Sequence, residues 1–376
     1  MPVLGALPAE APSADLPADY REGAFLFTSP AGVLLAEGER AVLTSPAEVP
    51  AALCDSEAEI VVGAVPFDPA APSRLVVPET VRRGGPLPAV PRPRPAVAAR
   101  WLAQHTDAEA YRAGVRRALE LFDSGDLRKV VLARRLDLVA AEPIAVRDLV
   151  RALAARDPRG HTFAVDLGDR TLLGTSPELL VRRSGRLVLS NPLAGSRPRS
   201  DDPVHDGRNA TALLGSAKDR REHRVVVAAV ADALAPFCRE LTVPDEPELL
   251  PTRTMWHLST RVSGVLADPD TSALDLAAAL HPTPAVCGTP TADARRVIGA
   301  LEPFDRGFYT GVVGWSDATG DGEWIIALRC GEARGATLRL FAGAGLVPGS
   351  DPDEELAETG AKLRTFLDAL GVEESA

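Results

Sequence analysis

The amino-acid sequence predicts an α+β fold rather than a doubly wound parallel sheet. Many short apolar runs bounded by Gly, Pro and Asp indicate strands, and two of them are separated only by a Gly/Asp turn at 318–322, which is typical of an antiparallel hairpin. Longer amphipathic stretches, such as 217–234 and 352–370, indicate helices. Because no repeat of fixed period is found, a repeat architecture is not expected.

The first 95 residues are predicted to form a β-rich N-terminal subregion that ends in a proline-rich connector. Short apolar runs between Pro/Gly turns predict three strands there, at 24–28, 32–35 and 60–66. From Gly84 to Pro95 the sequence GGPLPAVPRPRP removes backbone donors and favours extended backbone. We expect residues 1–95 to belong to the same fold as residues 96–376.

After the connector, a helix and a strand are expected. Thr106 and Glu109 have the spacing of a capping box, and an apolar stripe follows until Gly125. The strand predicted at 128–138 places Lys129 on the same face as small apolar neighbours. Further strands are predicted at 161–167, 171–173, 179–183, 186–190, 309–315, 323–329 and 337–341, and further helices at 272–280 and 291–301.

Composition and charge limit the classes of function. The chain has 376 residues, a formal net charge of −11 and no long Lys/Arg cluster, so a nucleic-acid partner is not expected. The four cysteines are widely spaced, which argues against a zinc knuckle or a disulfide framework and fits a reducing cytoplasm. Neither a signal peptide nor an apolar run of about 18 residues is found, so a membrane location is not expected.

Two helices carry pairs of acids at a spacing that places them on one face. Asp219 and Glu222 are three residues apart, as are Glu355 and Glu358, and Lys362 lies on the same face as the second pair. If the helices face each other, four carboxylates converge, which needs a hard cation such as Mg²⁺. The alternative is that these acids lie in solvated first turns and complement the helix dipoles.

Three further segments could serve a site or be ordinary turns. FAGAG at 341–345 is either an anion-binding run of backbone amides or a tight turn, and NPLAGS at 191–196 is expected to be a loop at a sheet edge. HPTPAVCG at 281–288 holds Thr283 between prolines, either as a stiff wall or as a simple turn. Arg329 could bind a carboxylate or face solvent.

Together these segments resemble the chorismate-utilising enzymes, the family of isochorismate, salicylate, anthranilate and aminodeoxychorismate synthases. The resemblance covers about residues 106–370. It is carried by motifs in this order: KVVLARR, SPELL, PLAGSRPR, KDRREH, WHLST, HPTPAVCG, EPFDRGFYTGVVGW, ALRC, FAGAGLVPGSDPDEE and ETGAKL. It implies a single large α+β domain in which two β-sheets enclose the active site and helices pack outside, with residues 96–376 as the chorismate-binding catalytic region.

The resemblance also implies roles for individual residues. Lys129 would direct water to C2 of chorismate, and Glu178 of the SPELL motif would protonate the departing C4 hydroxyl. Mg²⁺ would be bound by Glu222 and Glu358, with support from Asp219 and Glu355. The substrate-binding residues implied are Gly195, Ser196, His257, Thr283, Ala285, Arg329, Gly343 and Lys362.

The product implied is isochorismate, for aryl-acid siderophore or quinone synthesis. Lys129 matches the lysine of the water-using members, and Ala194 replaces the nucleophilic lysine of one aminating type. No glutaminase domain is recognisable, so no glutaminase subunit is expected, and we expect a monomer. A salicylate synthase, which goes on to eliminate pyruvate, and a non-catalytic chorismate-binding protein remain as alternatives.

Overall fold

The computed structural model describes residues 16–55, 57–88, 100–125 and 127–372 of the chain. The predicted proline-rich connector lies outside the described residues from position 89 onward.

The described part of the chain contains nine α-helices and 22 strands. The helices are α1 (Leu16–Asp19), α2 (Val49–Leu53), α3 (Ala108–Ser124), α4 (Val146–Arg156), α5 (Pro203–Gly215), α6 (Ala217–Leu234), α7 (Ala273–Leu280), α8 (Thr291–Leu301) and α9 (Pro352–Leu370). The strands of the N-terminal part are β1 (Phe25–Ser29), β2 (Gly32–Glu37), β3 (Ala41–Leu43), β4 (Ile60–Val65), β5 (Arg74–Val77) and β6 (Thr80–Gly84). The middle strands are β7 (Trp101–Thr106), β8 (Lys129–Ala140), β9 (His161–Asp166), β10 (Thr171–Ser176), β11 (Leu179–Ser184), β12 (Leu187–Asn191) and β13 (Leu193–Pro198). The remaining strands are β14 (Cys238–Thr242), β15 (Glu248–Pro251), β16 (Met255–Ser259), β17 (Val262–Leu266), β18 (Gly288–Thr289), β19 (Val312–Asp317), β20 (Gly322–Ile326), β21 (Cys330–Arg334) and β22 (Thr337–Leu346).

These strands form three antiparallel sheets. Sheet I has the order β18-β8-β22-β21-β10-β9-β1-β2-β6, with β7 also paired to β8, and sheet II has the order β14-β17-β12-β11-β20-β19-β4-β5-β3. Sheet III is smaller and has the order β13-β16-β15. Because the N-terminal strands pair with strands from much later in the chain, we propose that residues 1–95 and 96–376 form one unit. The predicted α+β class is confirmed.

Sheets I and II face each other, and helices cover their outer faces. Alternation along β1 shows the layering: Phe25 and Phe27 pack in the core between the sheets, whereas Leu26 packs in the outer core with α4 and α9. On sheet II, Trp324 packs outward with α6 and α7, and its neighbour Ile325 packs inward. Two sheets with helices outside were expected from the family resemblance, and this arrangement is confirmed.

Several local predictions are wrong. Thr106 does not cap α3, because the N-cap position is Asp107, whose carboxylate accepts a hydrogen bond from the backbone of Arg135 at 3.1 Å instead. The strand predicted at 323–329 ends at Ile326, and Arg329 has a left-handed backbone with φ of 45°. The sequence of this segment alone cannot show that the chain leaves sheet II after β20 and crosses to sheet I at β21.

For the two small-residue segments, the tight-turn alternative for FAGAG and the loop predicted for NPLAGS are wrong. FAGAG does not form a turn, since residues 341–345 continue β22 and pair along their whole length with β8. NPLAGS is not a loop, because Leu193–Pro198 is a strand of sheet III. Helices α4 and α5 were not predicted. Within the described ranges, no helix is long and apolar enough to cross a membrane, and the four cysteines carry free thiols.

Candidate active site

A cavity opens where the three sheets meet the N-terminal parts of α6 and α9. Its empty volume is about 890 Å³, part of which is open to solvent. The walls come from β8 and β22 of sheet I, β13 and β16 of sheet III, the two helices and the turns beside β11, β19 and β20. Elements distant in sequence therefore converge on one small volume.

Lys129 extends into this cavity from β8. Strand alternation directs Val130 and Leu132 into the apolar core beneath α3 and α8, so Lys129 and Val131 face the cavity, as the sequence predicts. Lys129 is only 6% exposed. Burial lowers the pKa of its ammonium group, although the carboxylate of Glu222 acts in the opposite direction. A buried lysine of lowered pKa can act as a base near neutral pH.

Two glycines on the neighbouring strand β22 make room for the side chains of Lys129 and Tyr309. Gly345 pairs with Val131 across the ladder, and a methyl group added at Gly345 would lie 3.0 Å from Cε and 3.4 Å from Nζ of Lys129. A methyl group at Gly343 would lie 2.9 Å from the hydroxyl oxygen of Tyr309. The FAGAG segment therefore has small residues because side chains from adjacent elements occupy the space above it.

Glu178 lies in the same cavity, between β10 and β11. Its side chain is 3% exposed, and burial raises its pKa from 4.5 to about 7, against the lowering effect of a backbone hydrogen bond from Leu193 and of Arg329 and Lys129. At neutral pH this carboxyl group is therefore protonated part of the time and can donate a proton. Lys129 and Glu178 thus have pKa values shifted toward each other, as an acid and a base that work together need.

The two acid pairs, Asp219 with Glu222 and Glu355 with Glu358, all line the cavity. Burial raises the pKa of Glu222, and burial followed by the charge of Glu358 raises that of Glu355 to about 7. The Oε1 atom of Glu222 is buried without a hydrogen-bond partner in the described structure. Such crowded, partly unsatisfied carboxylates have the chemistry of a site for a hard divalent cation.

The same carboxylates do not form a completed coordination shell. Among residues 16–55, 57–88, 100–125 and 127–372, no three His, Cys, Asp or Glu side chains are grouped closely enough to hold a metal. Glu358 Oε1 is instead 2.7 Å from Lys362 Nζ, which also donates to the carbonyl of Gly343 at 2.8 Å. The carboxylate side chains have other staggered rotamers, and their oxygen atoms are the donors that a hard divalent cation prefers.

A chain of hydrogen bonds joins three of the predicted substrate-binding residues. Arg329 Nη2 is 3.2 Å from His257 Nε2, and His257 Nδ1 is 3.0 Å from Ser196 Oγ. Burial, with the charges of Arg329 and Lys362, keeps the pKa of His257 well below its ordinary value, so the ring is neutral. A guanidinium group only donates, so Nε2 accepts and Nδ1 carries the hydrogen. The hydroxyl hydrogen of Ser196 is then free to donate to a ligand.

Two non-glycine residues with a left-handed backbone conformation line the cavity. In the described part of the chain, the non-glycine residues with positive φ are Thr310, at 59°, and Arg329, at 45°. Both line the cavity. Non-glycine residues in this conformation cost free energy and cluster at functional sites. The pattern of apolar and polar residues in the sequence gives no sign of such strain, which is why neither position was predicted to be unusual.

Most predicted site residues line the cavity, and Thr283 does not. Gly195 and Ala285 line it. Thr283 is buried behind the wall, where its hydroxyl accepts a hydrogen bond from the backbone of Ala285 at 3.3 Å. The sequence reading missed Lys218 and Tyr309, which also line the cavity. Lys218 is next to Asp219 in the KDRREH motif, so the motif already contained that signal.

Comparison with known proteins identifies the family. The family described as chorismate binding enzyme matches residues 88–371. The chain belongs to the chorismate-binding enzymes. It is similar to isochorismate synthase DhbC of Bacillus subtilis (strain 168), with 50% identity over 94% of this chain and 95% of the relative. It is 45% identical to the vibriobactin-specific isochorismate synthase of Vibrio cholerae serotype O1 (strain ATCC 39315 / El Tor Inaba N16961), over 85% of this chain and 81% of the relative.

A solved structure supports the same family. A crystal structure assigned to a 2,3-dihydroxybenzoate-specific isochorismate synthase, DhbC from Bacillus anthracis, has a TM-score of 0.91 and 48% identity. The alignment covers 96% of this chain and 99% of the other. The two chains therefore share one fold over almost all of their aligned length.

Proposed function

We propose that this protein converts chorismate to isochorismate, by adding water at C2 with loss of the C4 hydroxyl. The observation that carries the proposal is the pair of buried groups in one cavity, Lys129 with a lowered pKa and Glu178 with a raised one. The similarity to isochorismate synthases over almost the entire chain supports the same reaction. The enzyme is therefore an isomerase in which one hydroxyl arrives as another departs.

Lys129 acts as the base in this proposal. A neutral amine at Nζ takes a proton from a water molecule, which then attacks C2, and burial favours the neutral amine by lowering its pKa. Glu178 donates its proton to the C4 hydroxyl, which leaves as water while the double bond shifts. With a pKa of about 7, close to half of the Glu178 carboxyl groups carry the proton at neutral pH.

The two carboxylates of chorismate need cationic or donor partners. Arg329 and the backbone amide of Gly343 are suited to the enolpyruvyl carboxylate, and Lys362, Gly195 and Ser196 to the ring carboxylate. Gly343 can contribute its amide because β21 pairs with β22 only as far as Leu340, leaving this edge of β22 open. The carbonyl of Gly343 points to that edge, where it meets Lys362, and the N–H of a strand residue points the same way. Ala285 and His257 line the remaining wall.

Isochorismate synthases of this family need a metal ion, and we propose Mg²⁺ for this chain. Glu222 and Glu358 would bind it, with Asp219 and Glu355 in direct or water-mediated support. The ion would neutralise the ring carboxylate and polarise it. Oxygen-only donors favour Mg²⁺ over softer metals, and the unpartnered Oε1 of Glu222 is the atom that most needs such a partner.

The product is proposed to enter aryl-acid siderophore synthesis, by way of 2,3-dihydroxybenzoate or salicylate. Two of the relatives are named for 2,3-dihydroxybenzoate or vibriobactin. Another relative of known structure, MenF of Escherichia coli, is described as menaquinone-specific, so menaquinone synthesis is the competing pathway. We propose that the enzyme works as a cytoplasmic monomer on free chorismate, with water as the nucleophile, and needs no glutaminase subunit.

Product analysis tests the proposal directly. Purified protein is incubated with chorismate and Mg²⁺, and the products are separated by chromatography with and without added ammonium. Isochorismate as the only product is expected. Salicylate with an equal amount of pyruvate would make the protein a salicylate synthase, an aminated product would refute water as the nucleophile, and binding of chorismate without turnover would indicate a non-catalytic descendant.

A further inference from the structure

One edge of β8 has a gap in its strand pairing close to Lys129. On its other edge β8 pairs with β22 along residues 130–139. On the edge with the gap, β18 pairs only with Lys129 and Val130, and β7 pairs only from Leu136 onward. Residues 131–135 therefore face no strand there. Their buried backbone groups need other partners, because an unpaired N–H or C=O costs free energy. Val131 donates its N–H to the carbonyl of Cys287 just before β18, and Arg135 donates its N–H to the carboxylate of Asp107.

Two side chains from the segment after α8 fill the part of this gap that lies between those two hydrogen bonds. Glu302 Oε1 accepts a hydrogen bond from the backbone N–H of Ala133 at 2.8 Å, and Arg306 Nη2 donates to the carbonyl of Val131 at 2.7 Å. The two side chains also form a bidentate ion pair, with Nε to Oε2 at 2.8 Å and Nη2 to Oε1 at 2.5 Å. Their fork takes the place of a neighbouring strand two residues from Lys129.

The same guanidinium group reaches two other segments of the cavity wall. Arg306 Nη1 donates to the carbonyl of Val286 at 2.8 Å and to the hydroxyl of Thr310 at 3.2 Å. Both residues line the cavity, and Thr310 has the left-handed backbone noted above. The ring of Phe67 packs against the guanidinium at 4.6 Å. Arg306 thus ties β8, the segment before β18 and the segment before β19 to one rigid, planar group.

This arrangement is costly if stability is its only purpose. The side chains of Glu302 and Arg306 are each 2% exposed, and a buried ion pair adds little stability compared with apolar residues of the same volume. A lysine would supply the charge but not the fork. Neither residue touches the cavity lumen, so neither can contact substrate. Their distinctive contribution is the relative position of three wall segments.

We propose that Arg306 and Glu302 are positioning residues for Lys129: they complete the open edge of β8 and hold the strand at a fixed distance from the cavity walls at Val286 and Thr310. The inference rests on the proposed function through the role given to Lys129. It predicts that weakening the fork displaces the amine from its site of water activation, while the substrate-binding residues on β13, β16 and α9 stay in place.

The test compares Arg306→Lys with Arg183→Lys as the matched control. Arg183 is also buried and donates to three backbone carbonyls, of Gly185, Thr319 and Pro269, but it lines no part of the cavity. We expect kcat of Arg306→Lys to fall at least about tenfold with KM for chorismate changed less than about threefold, since small misplacements of a reacting group are costly. Arg183→Lys should lose thermal stability and keep kcat.

Two readouts separate positioning from general destabilisation. The acidic limb of the pH profile of kcat should move to higher pH in Arg306→Lys, because a displaced Lys129 is better solvated and stays protonated to higher pH. Amide hydrogen exchange should rise in the peptide that contains Ala133 and not in peptides of sheet III. Equal kcat values and unchanged pH limbs in Arg306→Lys and Arg183→Lys, measured where both are folded, would overturn the proposal.

Glu302→Gln keeps the test decisive if Arg306→Lys does not fold. The amide oxygen still accepts from Ala133, so the milder change should leave the fold intact and lower kcat, with faster exchange at Ala133. Wild-type kcat and exchange in this variant would also refute the inference. Absence of isochorismate from the wild type would refute the proposed function instead, and the exchange measurement at β8 would still report on the positioning pair.

Discussion

Replacing Glu178 with glutamine is expected to abolish turnover and to make the protein more stable above neutral pH. Glutamine has nearly the same shape and stays neutral, so it fits the buried position but cannot release a proton to the C4 hydroxyl. Loss of a general acid lowers kcat by about 10²–10⁴-fold. The gain in stability is expected because burying an ionised carboxylate costs the wild-type protein free energy.

The size of this gain follows from the pKa of Glu178. Folding raises the pKa from 4.5 to about 7, so between these values the folded protein binds more protons than the unfolded chain and the free energy of unfolding falls as pH rises. At about 1.4 kcal/mol per pKa unit, the loss is about 3 kcal/mol by pH 9. Glu178→Gln avoids this loss, and below pH 4.5 its advantage disappears.

The assay is denaturant unfolding of wild type and Glu178→Gln at pH 5 and pH 9, with chromatographic turnover at pH 7. Glu240→Gln is the control, since the side chain of Glu240 is 74% exposed. Removing this exposed carboxylate should have the same effect on stability at both pH values. A stability difference for Glu178→Gln that is the same at pH 5 and pH 9 would refute the raised pKa. Turnover within tenfold of wild type would refute the role as acid.

Three other substitutions test the remaining groups of the site. Lys129→Ala should lower kcat by at least about 10²-fold while chorismate still binds in an equilibrium titration, and unchanged turnover would refute the base. Gly345→Ala should lower kcat with little change in stability, because its methyl group would lie 3.0 Å from Lys129 Cε. Gly299→Ala on α8 is the control, since no atom lies within 4 Å of the added methyl group. Glu222→Gln should raise the Mg²⁺ concentration needed for half-maximal activity by about tenfold and weaken Mg²⁺ binding in calorimetry, and an unaltered metal affinity would remove Glu222 from the ligand set.

The helices were the most predictable part of the fold. Ala217–Leu234, Thr291–Leu301 and Pro352–Leu370 have the bounds expected from the sequence, because caps and apolar periodicity are local signals. Asp351, for example, accepts from the backbone N–H groups of Asp353 and Glu354 at 2.9 and 3.0 Å, as an N-cap before proline should. Predicted acid pairs on α6 and α9 reach the same cavity because helical periodicity fixes which face they share.

The sheets were less predictable, for a physical reason. Whether FAGAG forms a turn or a strand depends on its partner, and that partner is β8, about 200 residues earlier in the chain. Likewise, the small residues of PLAGS suit a loop equally well until pairing with β16 is known. The position of Thr283 behind the wall depends on the backbone of Ala285, a contact that spacing alone does not reveal.

The charges of the cavity explain why acid, base and metal are needed together. Four cationic and five acidic side chains line it: Lys129, Lys218, Lys362 and Arg329 against Glu178, Asp219, Glu222, Glu355 and Glu358. With Lys129 neutral, as its role as a base requires, the three remaining cations and five acids give a formal charge of −2, which opposes a substrate with two carboxylates. A divalent cation and a proton on Glu178 together reverse the sign of this charge and make the cavity attractive to the substrate. Binding the substrate therefore favours the protonated form of the acid, which is the form that the departure of the C4 hydroxyl requires.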